Sequence, residues 1–497
     1  MARRFGRHMV PVAVVSLMAN GCADLSNLRL SHPSVAPNVQ PATAALNVDP
    51  SQIPTMYRQM LAVDLPTVAR VAMSRNLDIQ QAQQRVEASR GAYEASIGAI
   101  FPSITPGVTA VGIDGAVANG GGFGLANFQN FFPMVALQWI INPGQVAYDL
   151  VASKRRLEAS AQQQQAVEQE TTRLAAVQYY DLVLAQAQVA VTRQAMDEAE
   201  ELLRIERLRS RSGTGLPADE LRAQAAVAAA QQAGLTAIKE FYNASIALTL
   251  TLHLDSTVML VPRAGAMGQA VLVREDLPIE DMLVIAVRYR PDLQAVRTLV
   301  SAAQADKGAT LWGGLGPQVQ ASGLLRPSPP AATVADTMYR QQTYVATGGF
   351  NWSAQIFGRI KTAIANAKLS GLDVDLQLDK VRAAVVSAHQ AGITAAKLIP
   401  LAGQEVVSAE EALRLTQQNL RAGTGLTIDV LQAQNAAEKA RLRRATAMVR
   451  YNQAQINLLA ALGLIDQTNL ENQSTAAPVL GAQAEPSGPA PSPKGSN

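Results

Sequence analysis

The chain holds one cysteine, Cys22, among 497 residues. A lone thiol has no partner within the chain, so disulfides play no part in its fold. Histidine is scarce too: His8, His32, His253 and His389 are scattered, and no Cys/His cluster has zinc-binding spacing. No Gly-rich loop ends in Lys-Ser or Lys-Thr, and no His-Glu-x-x-His occurs. These absences remove the usual signatures of nucleotide and metal chemistry, so no enzyme, metal or cofactor is expected. An excess of charge is also lacking. The net charge is +3, but Arg3, Arg4 and Arg7 lie in a leader without acids. Removing those three from 42 basic residues leaves 39, against 39 acidic ones. Such a balance gives no support to a nucleic-acid partner. Glu200 and Glu201 with Arg204 and Arg207 read as a solvated, salt-bridged helix face.

Aromatics make up only 4% of the chain, and they are gathered rather than spread. Trp139, Trp312 and Trp352, with Phe101, Phe123, Phe128, Phe131, Phe132, Phe350 and Phe357, fall in or beside two short regions. The first, residues 115–148, has no charged residue. Gly120, Gly121, Gly122, Gly124, Pro133 and Pro143 interrupt it, so it does not read as a spanning helix. Residues 104–113 and 132–141 each supply about the ten residues that a tilted transmembrane strand needs. The Gly-rich stretch between them reads as a loop. The second region repeats the pattern, with strands at about 317–325 and 344–357 around Pro327, Pro329 and Pro330.

What is present is a duplication. Residues 213–224 and 423–434 are identical at eight of twelve positions, at an offset of 210. Each copy starts Gly-Thr-Gly-Leu and lies between long helical patterns rich in Ala and Gln. Each is therefore read as the bend of a helical hairpin. The first arm runs from about 145 to 212 and returns from 218 to about 252; the second follows the same plan and ends with a helix at about 428–462. Helices this long need coiled-coil partners to bury their apolar seams. Glycines stop the outgoing helices. Pro217 suits a first helical turn, and Thr427 is expected as an N-cap. Asp219 and Asp429 fall where a helix dipole favours an anion. A single first helix is expected at about 65–97.

The N-terminal end has a basic start, an apolar run and then Ala19-Asn20-Gly21-Cys22. This resembles a bacterial lipobox, which implies cleavage before Cys22 and a covalent lipid on it; an incidental cysteine in an ordinary leader is the alternative. The chain divides into a signal peptide (1–21), a lipidated Pro-rich linker (22–64) and a first repeat (65–262). A connector (263–280), a second repeat (281–466) and a disordered C-terminal tail (467–497) follow.

Over residues 65–465 the chain resembles the TolC-like outer-membrane factor family, in its lipoprotein branch. The paired Gly-Thr-Gly-Leu bends, the Arg290-Pro291-Asp292-Leu293 opening and the duplicated helix–strand–strand–helix order carry the resemblance. It implies a mainly α chain with a transmembrane β-barrel portion. In a homotrimer, four strands per chain would build a shared twelve-stranded barrel, and the helices a long periplasmic coiled-coil barrel. It implies an exit duct for small molecules, with an inner-membrane transporter, a periplasmic adaptor (membrane fusion protein) and outer-membrane lipid as partners. A type I protein-secretion duct is a close variant. A periplasmic adaptor or scaffold coiled coil is a third reading, disfavoured because adaptors normally have one hairpin and this chain has two.

By the same resemblance, Gly213, Thr214, Gly215, Leu216, Gly423, Thr424, Gly425 and Leu426 are adaptor-contacting tips; turn geometry alone is the alternative for the glycines. Asp219 and Asp429 would form carboxylate rings at the periplasmic constriction, with simple helix-start stabilisation as the alternative. Leu420, Gly425 and Gln432 stand where an aromatic, a basic and an acidic gate residue can occur. Closure is therefore expected to rest on packing rather than a salt-bridged lock.

Overall fold

A computed structural model describes residues 59–119, 122–255, 257–263, 267–274, 277–327, 340–350, 352–466 and 469–470. The leader, Cys22, the linker up to residue 58 and residues 471–497 lie outside the described residues.

Two helical hairpins dominate. The first joins α3 (Pro143–Arg211) to α4 (Pro217–Thr251), and the second joins α7 (Gln355–Arg421) to α8 (Thr427–Ala461). The 69 residues of α3 extend about 100 Å at 1.5 Å per residue. The first helix is divided. α1 (Leu65–Arg75) stops at Asn76, whose side chain accepts from Asp78 N and Ile79 N and so caps α2 (Leu77–Gly98). The single helix expected at 65–97 is therefore two, because an Asn that satisfies orphan N–H groups offers the chain a break. The second repeat opens likewise, with α5 (Ile279–Tyr289) and α6 (Pro291–Leu315) separated at Arg290.

The breaks and helix ends meet in matching ways. Asn76 Nδ2 donates to Thr251 O at 3.0 Å, and Arg290 Nη1 to Ala461 O at 3.5 Å. Those carbonyls end α4 and α8, at positions 210 residues apart in sequence.

Folded structure begins inside the expected linker. β1 (Gln59–Val63) pairs in parallel with β4 (Val258–Pro262), so this small sheet ties the end of the expected linker to the end of the first repeat. All of β4 is buried. The main apolar core gathers here, with Tyr179, Tyr180, Phe241, Leu248, Met282, Val385, Ile456 and Leu459. The connector is held by two buried amides of α8. Asn452 accepts from Ala270 N and donates to Gly268 O, and Gln455 accepts from Leu272 N and Val273 N. Leu470, in the range expected as a disordered tail, is fully buried in this core.

The remaining strands form one antiparallel sheet in the order β2 (Ser103–Asn119), β3 (Gly122–Ile141), β5 (Pro317–Pro327), β6 (Arg340–Phe350). The first pair is longer than the expected 104–113 and 132–141. The ladder continues through the Gly-rich stretch to Asn119 opposite Gly122, so most of the expected loop is strand. A lipid-crossing length sets a minimum for a hairpin, and nothing stops the ladder beyond it. The last strand ends at Phe350 rather than 357; α7 has begun by Gln355 and includes Phe357, while Trp312 lies within α6.

Partners across an antiparallel ladder point to the same side. One face carries Ile104, Val135, Leu137, Trp139, Val319, Ala321, Leu325 and Tyr344. The other carries Ser103, Thr105, Gln138, Gln318, Gln320, Ser322 and Thr347, with Ala136, Ile140, Leu324 and Val345 among them. Among these residues the sheet thus has an apolar side and a mainly polar, uncharged one, and β2 and β6 leave its two edges open.

Candidate functional site

The two bends are built alike. Gly213 and Gly423 adopt φ of +71° and +81°, a left-handed conformation that costs any residue with a Cβ. Thr214 N and Gly215 N both donate to Arg209 O, at 3.0 and 2.9 Å. Thr424 N and Gly425 N both donate to Asn419 O, each at 3.0 Å. Orphan carbonyls of the outgoing helices are thereby satisfied. The second glycine is needed for space: a Cβ on Gly215 would lie 2.8 Å from Arg209 Cβ, and one on Gly425 2.8 Å from Leu420 N.

Leu216 and Leu426 follow as extended N-cap residues, 65% and 64% exposed. Each tip therefore displays an apolar side chain over a glycine-lined backbone. Thr427 is not the N-cap; it is the first residue of α8, and it is buried. Its hydroxyl leaves its own helix end and donates to Glu206 Oε1 at 3.1 Å. That bond to a buried carboxylate replaces the capping bond, and Asp429 N bonds Leu426 O instead.

Asp219 and Asp429 both lie in first helical turns. They differ in surroundings. Asp219 is half-buried and pairs with Arg222 at 2.8 Å, whereas Asp429 is exposed. Leu420 is buried in a cluster with Leu202, Leu203, Leu413, Val430 and Ala437, while Gln432 is exposed. Among the described residues the tips are joined by this apolar packing. Glu201 pairs with Arg204 as the sequence suggests; Arg207 instead faces Glu220 across the hairpin at 3.7 Å.

Sequence reading missed the polar ties in the seam between α3 and α8. The Glu206 side chain is fully buried and takes Arg209 at 3.0 Å as well as Thr427, while its Oε2 has no partner. About two turns up α3, Glu198 pairs with Arg441 (3.0 Å), which also pairs with Glu410 (2.9 Å). Burial disfavours the Arg441 charge, but the two carboxylates outweigh it and hold the guanidinium above its ordinary range. Burial, and then the Glu198 charge, push the neighbouring Glu438 carboxyl up. The available signal was a difference between the copies. At the offset of 210, Glu206, Glu198, Thr427 and Arg441 correspond to Thr416, Ser408, Pro217 and Gln231.

The comparisons with known proteins agree with this architecture. No curated protein sequence matches the chain. Among solved structures, the CmeC outer membrane channel of Campylobacter jejuni is 16% identical with a TM-score of 0.70, covering 83% of this chain and 89% of that one. The outer membrane protein VceC of Vibrio cholerae is 15% identical with a TM-score of 0.69, covering 80% and 96%. The open state of the MtrE outer membrane channel of Neisseria gonorrhoeae is 16% identical with a TM-score of 0.65, covering 80% and 89%. At such identities the likeness establishes the fold. The sequence profile of outer membrane efflux proteins matches residues 68–252 and 283–464, nearly all of both repeats. The chain belongs to the outer membrane efflux protein family, and it is an outer-membrane channel of an efflux system.

Proposed function

We propose that three copies of this chain assemble into a continuous exit duct for small molecules, fed by an inner-membrane transporter through a periplasmic adaptor. The observation that carries this reading is the four-stranded sheet with two open edges and one apolar face. Lipid cannot satisfy the backbone groups of an open edge, so a spanning sheet must close. Four strands are too few to close alone, and three copies give the twelve that the resemblance implies. The apolar face then meets lipid. The polar face, with Gln138, Gln318, Gln320 and Thr347, lines the bore.

In this reading the helical body stands in the periplasm and the tips meet the adaptor. Gly213, Thr214, Gly215 and Leu216, with Gly423, Thr424, Gly425 and Leu426, receive it. Leu216 and Leu426 are the apolar anchors, and the glycines let backbone approach backbone. Asp219 and Asp429 ring the constricted end and favour cations. A lipid on Cys22 fixes the N-terminal end to the membrane. The chain does no chemistry on its cargo. Native mass measurement of gently extracted protein, with conductance in planar bilayers, tests the proposal. A trimer that forms defined channels is expected; a detergent-indifferent monomer overturns it.

A further inference from the structure

Between α3, α7, α8 and the connector lies a cavity of about 880 Å³, within the size range of small-molecule sites. Much of its wall is apolar: Val183 and Val189 of α3, Val406 of α7, Met448 of α8 and Met267 of the connector. The two thioether chains can adapt to the shape of what they enclose. The charged groups on the wall are Arg193 and Asp197 of α3, Glu410 of α7, and Arg441 and Arg444 of α8. Arg441 is held by Glu198 at 3.0 Å and Glu410 at 2.9 Å. Among the described residues, Arg193 and Arg444 have neither an ion pair nor a hydrogen bond, and they face one unpaired acid, Asp197.

Other arginines along α3 and α8 are matched. Arg173 pairs with Glu170, Arg209 with Glu206 and Arg443 with Glu405. The two unmatched ones stand at one level. α3 and α8 run antiparallel, with Glu206 bonded to Thr427, Glu198 to Arg441 and Asp181 to Gln453. That register sets Arg444 opposite the part of α3 that holds Arg193. Like charges on one cavity repel, and an anion between them turns repulsion into attraction. The apolar wall beside them rewards a ligand that also has an apolar body. Neither cation follows from the duplicated pattern: at the offset of 210, Arg193 and Arg444 correspond to Gly403 and Gly234.

We infer that this cavity binds a small amphipathic anion. Its acidic group lies between Arg193 and Arg444, and its apolar body against Val189, Met267 and Met448. Every lining residue belongs to one chain, so the site does not depend on the trimer reading. A ligand bound there joins α3 to α8 and to the connector, and it stabilises the folded protein by mass action.

A matched pair of dyes tests this. The full chain in lipid nanodiscs, with empty discs as the baseline, is titrated with anilinonaphthalene sulfonate and with uncharged phenylnaphthylamine, which has the same aromatic body. The sulfonate should bind saturably, once per chain, and raise the unfolding temperature; the amine should bind about tenfold more weakly or worse. Arg193→Gln and Arg444→Gln each remove one charge-assisted contact. Each should weaken the sulfonate about tenfold and leave the amine unchanged. Both side chains are exposed and unpaired, so unfolding without dye should match native, which separates lost binding from lost folding. Arg359→Gln, which removes an exposed arginine at the start of α7, should bind as native. Equal binding of the two dyes, no saturable sulfonate binding, or native sulfonate affinity in both cavity variants overturns the proposal.

Discussion

Thr427, at the first turn of α8, donates its hydroxyl to Glu206 of α3 across 3.1 Å, and both side chains are buried. A hydrogen bond to a charged group contributes about 1.5–3 kcal/mol. Thr427→Val is therefore expected to lower stability by about that amount, and Thr427→Ser by much less. Denaturant unfolding of the extracted protein measures both. A double-mutant cycle with Glu206→Gln should show coupling, because removing either partner alone leaves the other unmet.

The tips separate folding from docking. Gly425→Ala drives a Cβ to 2.8 Å from Leu420 N, and Gly423→Ala forces a φ of +81° on a residue with a Cβ. The second change should cost about 1–2 kcal/mol. Leu426→Glu alters an exposed side chain and should leave unfolding unchanged while abolishing export. Drug tolerance equal to native in Leu426→Glu would remove the docking role.

Selectivity should depend on Asp429 more than on Asp219. Asp429 is exposed, whereas Asp219 is neutralised by Arg222 at 2.8 Å. Asp429→Ala should shift the reversal potential in a salt gradient towards zero. Asp219→Ala should shift it less.

Acid should weaken the opening of the second repeat. Burial pushes the Asp292 carboxyl up, but Arg290 at 2.6 Å, the Leu293 N–H and Gln377 outweigh it and hold it below its ordinary 3.8. A lowered folded-state value stabilises above the unfolded one and is lost as pH falls through the folded one. Asp292→Asn should therefore be less stable than native at pH 7. The gap should close below the ordinary carboxylate range. Unfolding curves at several pH values show whether it does.

Some of this was legible along the chain because the cause is local. Gly213 and Gly423 stop helices through their own backbone freedom, and the ends of α3 fall within two residues of the expected 145 and 212. The charge-poor, aromatic-rich regions hold most of the four-stranded sheet, with Asp114, Arg326 and Arg340 as its charged residues among the described strands. Other features depend on distant partners. β1 pairs with a strand about 200 residues away, so a Pro-rich context concealed it. Asn76 reads as an ordinary helix residue until its contact with Thr251 O is seen. Thr427 has the composition of an N-cap, and a buried carboxylate on another hairpin draws it away.

By itself the sequence determined the duplication, the two hairpins, their bends and the uncharged strand regions, because periodicity, glycine and the lack of charge act over a few residues. Only the tertiary structure decided which helix faces which, where the connector is held and which seam carries the buried charges. Those outcomes depend on side chains brought together from hundreds of residues apart, and on water excluded between them.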